Sequence, residues 1–129
     1  MWKNFILAIA LVSSQAYAIT TEEKQGVAAG RYFGAIILAS EFSKTSCGKT
    51  ANLSERLTNT SLAVAEIKKK FQNIDSKELG KAFSKNEELK QRQEMRDFLS
   101  TMKLDKCDLA KQTLIPFIEK EIESWKAFR

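Results

Sequence analysis

Apolar residues recur three and four positions apart along most of this chain, and runs rich in Val, Ile and Thr with strand-like alternation are missing. That spacing predicts an all-α domain. A first helix is expected over 21–44, with Thr20 and Glu23 at capping-box spacing. Gly26, Gly30 and Gly34 follow at intervals of four on one stripe that bends toward Ile37 and Leu38. Glycine costs about 1 kcal/mol per helical position relative to alanine, so the stripe predicts a groove into which another helix packs closely. The same spacing pairs helices in membranes, but Arg31 and Glu41 interrupt the apolar stretch and argue against a span. Gly48 is the expected stop of this helix.

A second helix is expected over 53–72, capped by Asn52, with Leu53, Leu57, Val64, Ile67 and Phe71 on its apolar stripe. Lys68, Lys69 and Lys70 fall in its last turn, where cations suit the helix dipole; they also form a candidate docking patch. A third helix starts near Asp75, with Glu78 as a second capping signal, and carries Leu79, Ala82 and Phe83. The stretch 84–87 is expected to break it, and a further piece carries Leu89, Phe98, Leu99 and Met102. Residues 87–97 are almost wholly polar, which predicts a solvated face. Within it Glu87, Glu88, Lys90, Arg92 and Glu94 are the second candidate contact region. The last helix is expected from about Asp105, with Cys107, Ala110, Leu114, Ile118, Ile122 and Trp125 in phase. Pro116 should kink it or start a new helix, Trp125 should be core, and Phe128 should be exposed near the tip. The sum is a small disulfide-stapled bundle of four to five helices.

The amino-terminal segment changes the picture. Lys3, the apolar run 5–12 and the small residues Ala16 and Ala18 have the layout of a cleaved secretory signal over 1–18. The run is too short to span a bilayer, and no stable membrane span is expected after cleavage. The remaining 19–129 is expected to be a single helical domain in the periplasm or outside the cell. In that compartment the only two cysteines, Cys47 and Cys107, are expected to pair within the chain. An intermolecular bridge or one reactive thiol are the alternatives. Asn52-Leu53-Ser54 and Asn59-Thr60-Ser61 match the glycosylation acceptor pattern, which carries meaning only in a eukaryotic exporter.

Charge and chemistry narrow the function classes. The chain has 21 basic and 16 acidic residues. Losing Lys3 leaves a mildly basic domain that suits acidic partners without requiring nucleic acid. Histidine is absent, which removes Ser-His-Asp and Cys-His nucleophile activation, the commonest catalytic zinc ligands and a neutral-pH switch. The adjacent pairs Glu22/Glu23 and Glu87/Glu88 point in different helical directions. Glu119 and Glu123 share a face but carry no further signal. No phosphate loop, CxxC pair or metal-ligand spacing is found in the sequence. No catalytic residue, cofactor or metal is therefore expected.

What remains is an exported, non-enzymatic binding protein that docks on another protein of the cell envelope, as an inhibitor or immunity-type factor. A stress or chaperone-like protein binding many clients is the second expectation, and an enzyme working through carboxylates alone is the third. Pairing of Cys47 with Cys107 closes a loop of 60 residues, worth about 4 kcal/mol in the chain-entropy description. The Cys47→Ser, Cys107→Ser double variant should lose about that much in urea unfolding; an unchanged midpoint would contradict the bridge.

Overall fold

The computed structural model describes residues 21–102 and 107–128. The proposed signal segment, Thr20 and Asp105 lie outside them. Seven helices make up the described chain: α1 (Thr21–Ser43), α2 (Ser46–Ala51), α3 (Glu55–Thr58), α4 (Thr60–Lys70), α5 (Ser76–Ala82), α6 (Lys85–Thr101) and α7 (Cys107–Ala127). Four of them (α1, α4, α6 and α7) are the long members of the bundle, and α2, α3 and α5 are short connectors. No strand occurs among the described residues.

The bundle is organised around α1. All eleven residues from Tyr32 to Phe42 are buried, including the polar Ser40 and Glu41. A helix apolar on every side has to be enclosed on every side. The enclosure comes chiefly from α7 and α6, with α4, α3 and α2 completing it. Phe33, Ile36, Ile37 and Phe42 from α1 meet Ile67 and Phe71 from the α4 end and Ile118 from α7, all almost fully buried. Trp125 stacks on Tyr32 with ring centroids 4.7 Å apart and meets Phe71 edge-on at 5.3 Å. Such ring pairs add about 1 kcal/mol each beyond the area they bury.

The helix ends follow side-chain chemistry. Asn59 accepts hydrogen bonds from the Ser61 and Leu62 amides at the start of α4. Asp75 accepts from the Lys77 amide in α5, and Ser84 from the Glu87 amide in α6. The expected break at 84–87 is thus a new cap. Each cap satisfies amides that have no partner inside the helix.

Three local expectations are corrected. The segment 53–72 is not one helix: Asn52 ends α2 in the left-handed conformation instead of opening a helix, and a separate turn, α3, precedes α4. Gly48 does not stop α1 either. The chain turns at Lys44 and Thr45, and Gly48 lies buried inside α2, donating its amide to Thr45 Oγ1 at 3.0 Å. A Cβ there would collide with the backbone carbonyl of Phe42, so glycine permits α2 to fold back against the end of α1. Finally, Pro116 starts no new helix, since α7 continues through it. Phe128 is half-buried, with its ring edge-on to Phe71 at 5.7 Å.

Cys47 and Cys107 form the expected intramolecular disulfide, with Cα atoms 5.1 Å apart. It ties the segment after α1 to the first turn of α7. No described helix is long and apolar enough to cross a membrane.

The glycines separate packing from propensity. Gly80 is exposed in α5 with open space around its Cα, so Gly80→Ala should stabilise the protein by about 0.5–1 kcal/mol. Gly48→Ala should destabilise it by about 3 kcal/mol, because the obstructing atoms belong to the backbone. Thermal unfolding of both variants measures the contrast.

Candidate functional site

Two features stand apart from the apolar core: a polar cluster around Glu41, and a groove along the first half of α1. The cluster arises because Glu41 sits on the enclosed part of α1 with its side chain only 1% exposed. Arg92 Nη1 reaches it from α6 at 2.8 Å, Lys44 Nζ at 2.8 Å and Arg96 Nη1 at 3.3 Å. Arg92 also donates to Ser40 Oγ at 2.9 Å and, through Nε, to Glu88 Oε2 at 3.0 Å. Its remaining amino group lies 3.4 Å from Thr60 Oγ1. One guanidinium thereby joins α1, α4 and α6, a use suited to its fixed fork of donors.

Burial alone would raise the Glu41 carboxyl, but hydrogen bonds from Lys44 and Arg92 and their charges reverse the effect and hold it below the ordinary carboxylate value. Glu88 behaves the same way: burial pushes it up, and hydrogen bonds from Thr60, Arg92 and Lys85 bring it down. A second cross-link is bidentate. Arg31 on α1 donates to both carboxylate oxygens of Glu121 on α7, at 2.9 and 2.7 Å.

The groove lies where the described helices leave α1 partly uncovered. Glu22, Gly26, Ala29 and Gly30 form one wall on α1. Glu78, Leu79, Lys81 and Ala82 of α5, flanked by Ile74 and Phe83, form the opposite wall, and Glu87 and Gln91 of α6 close one end. Its volume is about 540 Å³, within the range that ligand sites occupy. The lining is mainly apolar, while the charged positions are three glutamates and one lysine on a molecule whose net charge is +5. Among the described residues Glu22, Glu78 and Glu87 have no cationic partner within ion-pair distance. Gln91 is 5% exposed, and its Oε1 is buried with no hydrogen-bond donor. A smaller cavity of about 190 Å³ lies beside Arg31, Glu121 and Trp125, where Arg31 and Glu121 are already paired with each other.

The structure redistributes the residues singled out from the sequence. Gly34 is buried, whereas Gly26 and Gly30 are half-buried and line the groove beside α5 and α6. The lysine triplet divides: Lys68 and Lys69 are exposed, but Lys70 lies 4.4 Å from the Trp125 ring centroid and donates to the Trp125 carbonyl. Burial of its ammonium lowers the Lys70 pKa. The polar stretch 87–97 is not a uniformly solvated face. Lys90 is exposed and Glu94 half-buried, but Glu88, Gln91 and Arg92 turn inward, and Glu88 and Arg92 are spent on the Glu41 cluster. From that stretch Glu87 and Gln91 reach the groove, which Glu88, Lys90, Arg92, Glu94 and the three lysines do not line. Leu89 and Phe98 are half-exposed, and Met95 and Leu99 supply the apolar contacts of α6.

Glu41, Glu121 and Gln91 were missed as interior groups. A lone acid between Ala39 and Phe42 in an apolar helix was the available signal, since such an acid demands a buried cation. Nothing in the sequence marked Gln91 among its polar neighbours. Comparison of the chain with protein-family models, with curated proteins and with solved structures finds no match.

Both carboxyls in the cluster ionise more readily in the folded protein than in the unfolded chain. Their stabilisation is complete above the ordinary glutamate value, about pH 4.3, and disappears as pH falls through the lowered folded values. Glu41→Gln should flatten this acid limb. At pH 7 it should cost about 2–3 kcal/mol, a figure reduced from a fully buried pair because Lys44 and Arg96 are well exposed. Urea unfolding from pH 7 to pH 3 measures both effects.

Proposed function

We propose that this is an exported, non-enzymatic binding protein that docks on another protein of the cell envelope and acts as an inhibitor or immunity-type factor. The observation that carries the reading is the groove between α1, α5 and α6, an apolar concavity with unpaired acids on its rim. Docking by a small protein needs a few anchors seated in a desolvated pocket, surrounded by contacts that exclude water. The ion pairs that tie α1 to α6 and to α7 support the same reading, because they anchor two of the groove's three helices without using a lining residue. A rigid surface loses little freedom on association. The signal-like segment and the disulfide together support an extracytoplasmic address.

Blocking the groove tests the reading. Ala82 is exposed on its wall, so Ala82→Trp fills the space without entering the core. Used as bait against envelope proteins, the native protein should retain one partner stoichiometrically, and Ala82→Trp should lose it by about tenfold or more in affinity. Added to the purified partner, the native protein should suppress that partner's activity. Equal capture of many proteins by both forms would overturn the proposal and favour a client-binding role.

A further inference from the structure

α6 is held differently from the other long helices. Its buried side chains are Gln91, Met95 and Leu99, of which two are apolar. α7 buries Ala110, Leu114, Ile118, Ile122 and Trp125 and is tied down by the disulfide. α4 buries Ala63 and Ile67 and runs into the buried Phe71. It is also held by Tyr32 Oη, which donates to Glu66 Oε2 at 2.7 Å. A protonated carboxyl still accepts such a bond, so that contact survives acid. α6 relies instead on charge, through Arg92 and Arg96 on Glu41. We infer that the Glu41 cluster is an acid-operated latch on α6: protonation of Glu41 and Glu88 undocks that helix, and with it one end of the groove, while α1, α4 and α7 stay packed.

The charges in the cluster make it responsive to acid. Glu41 faces Lys44 from its own helix and Arg92 and Arg96 from α6. Glu88 faces Arg92 and Lys85. From α4 only the neutral Thr60 reaches the cluster. Among the described residues α2, α3 and α7 place no charged side chain within ion-pair distance of either acid. Two carboxylates thus stand against four cations. Protonating both leaves the cations without a counter-charge, and Arg92 is only 15% exposed. A buried ion whose partner is removed is strongly destabilising where it sits. Lys44, Lys85 and Arg96 are at least half exposed and stay hydrated, so relief comes from moving Arg92, and Arg92 moves with α6. The release falls below the ordinary glutamate value, about pH 4.3, because both acids are held below it in the folded state. Glu87 and Gln91 close one end of the groove from α6, so the same step removes that end. The inference concerns the helix alone and does not depend on the docking reading.

Two residues allow the helices to be followed separately. Met95 is buried on α6, and Trp125 is buried on α7 against Tyr32 of α1 and Phe71 at the end of α4. The disulfide-bonded protein, labelled at methionine methyls and at the tryptophan indole, is titrated from pH 7 to pH 3 by NMR. The Met95 methyl should move to its random-coil position at a higher pH than any change in the Trp125 indole, with uptake of about two protons. The step should persist in about 1 M salt, where surface charges are screened beyond about 3 Å. Glu41→Gln should raise the pH of the Met95 step and reduce the uptake to about one proton. The Glu41→Met, Arg92→Met double variant, which replaces the ion pair by apolar groups, should keep Met95 docked at pH 3. A Met95 signal unchanged at pH 3, loss of Met95 and Trp125 dispersion in one step, disappearance of the step in salt, or a double variant that releases Met95 as the native protein does would each overturn the inference.

Discussion

Enclosing α1 is the constraint on which the rest of the structure depends. From Tyr32 to Phe42 that helix has no face suited to water, and only a ring of other helices removes all of it from solvent. The requirement would be purely apolar were it not for Glu41. A carboxylate in that position forces the enclosing helix α6 to bring Arg92, and Arg92 in turn draws in Ser40, Thr60 and Glu88. The cluster therefore fixes the direction and rotation of α6 against α1 and α4. An apolar contact would tolerate sliding, whereas a guanidinium held by several acceptors does not.

The groove is the complement of this enclosure. Among the described residues, the surrounding helices close over the second half of α1, where the large side chains lie, and leave the first half only partly covered beside Gly26 and Gly30. The short helix α5 forms the opposite wall without filling the gap. Rigid cross-links lie on either side of that gap: Arg31 with Glu121 on one flank, and Arg92 with Glu41 on the other.

Much of the architecture was legible because its signals are local. The period of apolar residues in α4 and α7, the capping residue Asp75, the break near Ser84 and the core placement of Trp125 each depend on a few neighbouring positions. The segment 46–59 was misread because its apolar residues, Leu53 and Leu57, keep helical phase across a chain that turns twice between them and its flanks. Periodicity reports which residues face the core and is silent on whether the backbone is continuous. The charged stretch on α6 was misread for a related reason: composition alone cannot distinguish an arginine facing water from one facing a buried carboxylate 51 positions away in sequence.

By itself the sequence determined the helical class, the apolar stripes, the cap at Asp75 and the one pairing available to two cysteines, because each is set by short-range sterics, by hydrogen-bonding chemistry or by counting. Tertiary structure alone decided that Gly48 must be glycine, that Glu88 and Arg92 belong to the interior, and that Gly26, Gly30, Glu87 and Gln91 share one concavity. These depend on which surfaces meet when distant segments pack. Neither an unpaired acceptor nor an uncovered wall is a property of any single stretch of chain.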